Sequence, residues 1–432
     1  MCAASPARLA AIPLTSEASI PMPTTYTTID KLAAGVGCAT LLLLAACGGG
    51  TPAATPPVVP PVVAESLSLN APVSQTLAGG KAIGLAATTA SGAAASWQLA
   101  AGSPGSLSAA SGASVNYVPP ASVAANTQVN IVASVGGISK TLTLTVFPDP
   151  GSPLLSLLAG ASAGSSPQPA DGQGAAARFE NPHVMGAAPD GAIYVADFVL
   201  SGVLTEDRFS LRKISPAGVV TTLASKIDLS PNYYNDVVRI AADRSGAVYL
   251  LENGNYSIGN NNPAGGAIYK LGADGTPVLF AGVASHNAAS GEALQQDGNG
   301  AAAHFYQPNL VGFDAENNLY LKDSPRNVTL NRPYRKVTPQ GVVTTIDALP
   351  AGVGGAADGN PDTYSASTSD NVVIRGKAGG TNTAVAGVWG AAGDLLGPLP
   401  GQLSAPYGLV PLGPYSFAFL SNQRVIKLVV PR

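Results

Sequence analysis

Charge is the scarcest ingredient of this chain. Only 11% of its 432 residues are Asp, Glu, Lys or Arg, against roughly 25% in an average soluble domain. With a formal net charge of -3 there is no basic footprint for neutralising phosphates, so nucleic acid is not an expected partner. Histidine occurs three times, too few for a His-rich metal centre, and no cofactor is expected. The Ala/Glu/Lys/Leu blocks of a helical bundle or coiled coil are missing. The three cysteines, Cys2, Cys38 and Cys47, all fall near the start, which leaves the rest of the chain without a disulfide framework. Glycine and proline are abundant instead, at 50 and 36 residues. Apolar runs punctuated by Gly and Pro with few charges predict an all-β chain with many tight turns.

The first 64 residues read as a leader and a tether. Lys31 precedes an apolar run from Leu32 to Ala46, about the length of an export signal and too short to span a bilayer. It ends in Leu44-Ala45-Ala46-Cys47, which resembles a bacterial lipobox. That resemblance implies a signal peptide over 1–46, with Met22 as the expected true start, and lipidation at Cys47. Gly48 rather than Asp after the cysteine implies an outer-membrane lipoprotein, facing the periplasm or the medium. An ordinary signal peptide with an incidental cysteine is the alternative. More than one acyl chain is what stable anchoring requires. Residues 47–64 are Gly-rich and then Pro-rich, an extended spacer that cannot pack a core.

Residues 65–148 change to short alternating runs. Ser66-Leu67-Ser68-Leu69, Val129-Asn130-Ile131-Val132 and Thr141-Leu142-Thr143-Leu144-Thr145-Val146 place apolar side chains on one face, with Trp97 as the core aromatic. This pattern predicts a small β-sandwich. The stretch from Val115 to Val146 resembles the closing half of bacterial Ig-like domains, without the Cys pair of antibody domains, and its expected role is that of a spacer.

From 153 to 432 the chain repeats. Asp171-Gly172-Gln173-Gly174, Ala177-Arg178-Phe179, Ile193-Tyr194-Val195-Ala196-Asp197 and Leu211-Arg212-Lys213-Ile214 return as Asp297-Gly298-Asn299-Gly300, Ala303-His304-Phe305, Leu319-Tyr320-Leu321-Lys322-Asp323 and Tyr334-Arg335-Lys336-Val337. Weaker copies lie around Tyr249 and Tyr269, around Tyr364 and Arg375, and around Phe417 and Lys427. Each copy reads as four strands with glycine turns, the pattern of a propeller blade. The motif set resembles NHL-repeat β-propellers. Five blades are counted; a sixth, hidden at 225–231 or 324–333, is the alternative. The fifth copy stops after its third strand, and residues 154–160 supply the missing one, which predicts closure of the ring by that N-terminal strand.

Candidate functional residues are few. His183, Asn309 and Tyr407 begin the first strand of their repeats and are expected at the channel mouth. The Tyr/Asn-rich segments holding Tyr233, Tyr234, Asn255 and Tyr256 have the composition of recognition loops. Asp197 and Asp323, at the ends of second strands, are hard-oxygen candidates for calcium, with backbone capping as the competing role. Lys213, Lys270, Lys336, Arg375 and Lys427 recur in the third strands and are expected to face outward for solubility. The expectation is a monomeric envelope lipoprotein, membrane-bound through its lipid anchor, whose propeller binds a protein or glycan. The alternative is a metal-dependent lyase or hydrolase in the channel, as in some propellers of the same type, with His183 and the strand-end acids as ligands.

Overall fold

The computed structural model describes residues 64–161, 168–199, 208–227, 229, 237–252, 266–284, 295–306, 308–314, 316–323, 333–350, 353, 362–377 and 380–432. Cys47, the leader, the tether, Tyr233, Tyr234, Asn255 and Tyr256 lie outside the described residues. The protein is all-β: the one helical turn among the described residues is the 3-10 segment Gly300–Ala302.

Two sheets occupy the N-terminal part. One orders its strands Leu67–Asn70, Ile83–Thr89, Ser114–Val118 and Ser106–Leu107; the other runs Gln75–Leu77, Ile138–Phe147, Thr127–Val135, Ala95–Leu99 and Ser111–Gly112. The alternation read from the sequence is observed on Thr127–Val135, where Val129, Ile131 and Ala133 are fully buried; on the neighbouring strand Leu144 and Val146 are fully buried, but Thr145 and Phe147 between and after them are buried as well. Trp97 and Tyr117 join them in one core shared by both sheets. Each polar tip inside is satisfied, with the Trp97 indole N–H donating to Gly112 O at 2.9 Å and the Tyr117 hydroxyl to Pro104 O at 2.9 Å. Full burial of residues such as Ile131 and Leu144 contributes about 1.5–3 kcal/mol each.

Five further sheets follow, one per sequence repeat. Repeat one forms Pro182–Ala187, Ile193–Val199, Arg208–Ile214 and Val219–Ile227. Repeat two forms Val237–Ala242, Val248–Glu252, Ala267–Leu271 and Pro277–Gly282; repeat three forms Pro308–Phe313, Leu319–Asp323, Tyr334–Val337 and Val342–Ile346. Repeat four contributes Thr363–Ser367, Val372–Gly376 and Thr383–Gly387, and repeat five Tyr407–Gly413, Ser416–Ser421 and Arg424–Val429. Within each sheet consecutive strands pair antiparallel. The fifth sheet takes a strand from the residues just ahead of repeat one: Leu154–Ala159 pairs with Arg424–Val429 in the register Leu154↔Val429 and Leu155↔Leu428.

The nearly unbroken apolar second strands have a physical reason. The sheets of repeats one, two and five are covered on both faces, so both sets of alternating side chains there must be apolar. In Ile193–Val199, Tyr194, Ala196 and Phe198 enter a core shared with repeat two, while Ile193 and Val195 enter one shared with repeat five. Cores of the same kind join repeats two and three and repeats four and five.

Turn glycines set the approach between neighbouring sheets. Gly218, Gly275 and Gly341 each close the turn between third and fourth strand, at φ +82, +82 and +83°. A Cβ on them would meet the carbonyl of Leu158, Leu223 or Phe280 at 2.4, 2.9 or 3.0 Å, respectively. Each of these carbonyls belongs to the fourth strand of the preceding sheet. Only glycine combines that left-handed backbone with so close an approach.

The Asp-Gly motifs do more than turn. Gly172–Gln173 and Gly298–Asn299 form short fifth strands that pair with the fourth strands of their own repeats, and Gly397–Pro398 does so in repeat five. They cover edges that would otherwise expose unpaired backbone.

Candidate functional site

Repeats one and three carry the same buried ion-pair unit. The third strand alternates, so Lys213 and Lys336 are half-buried while Arg212 and Arg335, one residue earlier, turn fully inward with 1% and 0% of the side chain exposed. Arg212 donates to Asp197 Oδ2 at 3.1 Å, to Asp171 Oδ1 at 2.8 Å, and to the carbonyls of Ala170 and Arg178 at 2.8 and 3.3 Å. Arg335 repeats this with Asp323 Oδ2 at 3.1 Å, Asp297 Oδ1 at 3.0 Å, Gln296 O at 2.8 Å and His304 O at 3.1 Å. Each guanidinium also lies over a phenylalanine ring, Phe179 or Phe305, at 5.3 Å. The planar fork matches two carboxylates at once, which an ammonium would not do.

The acids are engaged on their other side as well. Asp197 Oδ1 accepts the backbone N–H groups of Glu180 and Asn181 at 2.9 Å each. Tyr306 N–H donates to both carboxylate oxygens of Asp323, at 3.0 and 3.2 Å. Asp171 accepts Thr222 through its N–H and hydroxyl, and Asp297 accepts Thr345 in the same way, all at 2.9 Å. Burial pushes the Asp197 carboxyl up to about 6, against the N–H groups of Asn181 and Glu180 and the charge of Arg212. Burial also acts to raise Asp171 and Asp297, but the Thr N–H and hydroxyl donors and the arginine outweigh it and hold both below the ordinary carboxylate value.

Of the two roles weighed for Asp197 and Asp323, the geometry is that of capping joined to ion pairing. Their oxygens face donors, and a cation there would have to displace a buried guanidinium. The corresponding position in repeat two is Glu252, which accepts the Tyr269 hydroxyl at 3.0 Å. In repeat five it is Ser421, whose hydroxyl donates to Ser404 O at 2.8 Å and accepts Ser404 N–H at 3.2 Å. No cluster of three or more His, Cys, Asp or Glu with metal-holding geometry occurs among the described residues.

The recurring basic row also has partners. Lys213 Nζ lies 5.7 Å from the Tyr194 ring centroid, and Lys270 Nζ lies 5.4 Å from Tyr249 and 5.7 Å from Phe280. Arg375 is paired with Asp362. The two lysine side chains thus lie against the tyrosines of the adjacent second strands, Tyr194 and Tyr249.

His183, Asn309 and Tyr407 stand where the first strands begin. The structure brings two of them together: the exposed His183 ring lies 6.1 Å from Tyr407 and 5.9 Å, edge-on, from the buried Phe198. The Tyr407 hydroxyl donates to Pro182 O. Burial and then the charge of Asp197 raise its pKa to about 12, so it is a neutral donor at ordinary pH. Asn309 occupies the same place in repeat three, opposite Lys322 on the second strand.

The N-terminal sheets meet the opposite ends of these strands. Asn126 Nδ2 donates to Pro189 O at 2.9 Å, in the turn between first and second strand of repeat one. Phe147 packs on Gly413, at the equivalent turn of repeat five. Asp149 pairs with Arg432 just beyond the end of the Arg424–Val429 strand. His183, Asn309 and Tyr407 are therefore at the end of the sheets away from these contacts.

No protein family matches the chain, and no curated protein matches it. Among solved structures it is similar to a protein of unknown function from Bacteroides thetaiotaomicron, at 14% identity and TM-score 0.41, covering 86% of this chain and 99% of that one. A DUF4623 family protein from Bacteroides eggerthii is similar at 12% identity and TM-score 0.23, over 79% of this chain and 68% of that one. A luciferin-regenerating enzyme is similar at 10% identity and TM-score 0.26, over 58% and 92%. Scores this low carry no activity over to the chain.

Proposed function

We propose that the protein is an envelope lipoprotein, anchored through Cys47, in which an Ig-like sandwich carries an NHL-type five-bladed propeller that binds a protein or glycan. The pairing of Leu154–Ala159 with Arg424–Val429 and the cores that join repeats one and two, two and three, four and five, and five and one support the ring. The observation that carries the functional reading is the placement of the sandwich. It meets the first turns of repeats one and five and leaves the end bearing His183, Asn309 and Tyr407 as the recognition face. That face offers imidazole, amide and aromatic groups rather than a concentration of charge, which suits uncharged polar ligands.

The test is site-specific photocross-linking in intact cells, with the cross-linking residue at Asn309 in one chain and at Glu316, near the opposite end of the same strand pair, in another. Adducts formed from position 309 and not from 316 are the expected result. Adducts from 316 alone, or from neither, would overturn the assignment. Replacing Cys47 by Ser is expected to abolish incorporation of labelled palmitate and release the chain from the membrane fraction; retention of both would remove the anchor.

A further inference from the structure

The sandwich was expected to act as a spacer, yet its contacts concentrate around one joint. Phe147, the last residue of the longest sandwich strand, is only 8% exposed although it stands outside the sandwich core. A Cβ on Gly413 would sit 2.5 Å from its Cδ1. Two residues further on, Asp149 pairs with Arg432, the C-terminal residue. Five residues after that begins Leu154–Ala159, the strand that completes the fifth sheet. On the neighbouring repeat, Asn126 bonds Pro189 O, and a Cβ on Gly191 would lie 3.3 Å from Asn126 Nδ2.

We propose that the sandwich is a clamp on the closure of the ring, holding the strand pair Leu154–Ala159 and Arg424–Val429 in register from below. The inference rests on the ring reading and adds to it a cause for the closure's persistence. Strand pairing alone joins two distant ends of the chain through one ladder. Phe147 seats the sandwich on Tyr407–Gly413, the first strand of the fifth sheet, and the exposed Asp149–Arg432 pair links the segments that flank the two ladder strands, so the sandwich braces the sheet in which the ladder closes. Asn126 extends the hold to repeat one and thereby keeps the recognition face directed away from the sandwich.

Hydrogen exchange on the full chain tests this, because it reads the opening of individual strands. In Phe147→Ala, amides of 154–159 and 424–429 are expected to exchange at least tenfold faster than in the parent, with those of 319–323 in repeat three unchanged. Phe147→Leu serves if the alanine variant does not fold, with a smaller change confined to the same strands. Asn126→Ala is expected to loosen 182–187 without touching repeat three. Unchanged exchange at 154–159 and 424–429, or equal loosening in every repeat, would overturn the clamp. Unprotected amides at these strands in the parent protein would instead overturn the ring, so the two failures are distinguishable.

Discussion

Replacing Arg335 by leucine would remove one guanidinium and leave four acceptors without it. Asp323 is completely buried, and the carbonyls of Gln296 and His304 lose the same donor. Asp297, half-exposed, recovers water and keeps Thr345. The penalty is therefore dominated by Asp323, a buried carboxylate that keeps the Tyr306 N–H but loses its guanidinium, and removing one member of such a pair costs about 3–5 kcal/mol. Since 1.36 kcal/mol is a factor of ten, amides of 319–323 and 334–337 should exchange roughly 160- to 5,000-fold faster if they open by local unfolding. Adding Asp323→Asn to the leucine variant removes the stranded charge and should recover at least about 1 kcal/mol, a non-additivity expected of residues in one network. Calorimetry of both variants, with exchange to localise the effect, decides the matter. A loss under about 1 kcal/mol in the single variant, or strict additivity in the double, would refute the view that these acids are structural and held by arginine.

Arg212→Leu should behave like Arg335→Leu, because the distances within the two units are nearly the same, and calorimetry should return losses within about 1 kcal/mol of one another. Asp197 has its folded pKa raised to about 6, so the folded state holds that proton more tightly than the unfolded one. Its stabilising contribution is complete below the unfolded carboxylate pKa of about 4 and is lost as pH rises through 6; Asp197→Asn should abolish that decline in a denaturation series. Asp171 and Asp297 run the other way: their contribution is present above about pH 4 and lost on further acidification, and Asp297→Asn should flatten the acid limb. Gly218→Ala adds a Cβ 2.4 Å from Leu158 O at φ +82° and should destabilise by at least about 1–2 kcal/mol from backbone strain alone, read by thermal unfolding.

Much of the architecture was visible in the spacing of residues. The alternation in Val129 to Ser134 marks a strand with one face buried, whereas Thr141 to Val146 alternates in sequence but is buried on both faces at its end. The repeated Tyr-x-x-Asp or Tyr-x-x-Glu segments mark second strands because both of their faces are covered. The inward position of Arg212 and Arg335 is not legible from local sequence. Two basic residues in a row look like surface, and the signal was the strand period itself: if Lys213 and Lys336 face outward, their neighbours must face in. Once an arginine is inside, the acids at fixed offsets become its partners rather than ligands. The short strands at Gly172–Gln173 and Gly298–Asn299 are not legible for a related reason, since Asp-Gly favours turns locally and only the neighbouring fourth strand makes it an edge strand. His183 and Tyr407 lie more than two hundred residues apart, and their proximity follows from how repeat five meets repeat one.

The register Leu154↔Val429 also bears on how the molecule comes into being. The strand made first among the repeats has as its partner the strand made last, some 275 positions later. Relative to a hairpin of about ten residues, bringing such distant ends together costs about 3 kcal/mol more in chain entropy. During synthesis, Leu154–Ala159 must wait with this edge bare until Arg424–Val429 emerges. A chain stopped ahead of Arg424 would keep that apolar Leu-Leu-Ser-Leu-Leu-Ala segment open to other chains. Emergence of Arg424–Val429 is thus the event that retires the exposed edge, and truncation ahead of it turns an internal seam into a surface for misassembly.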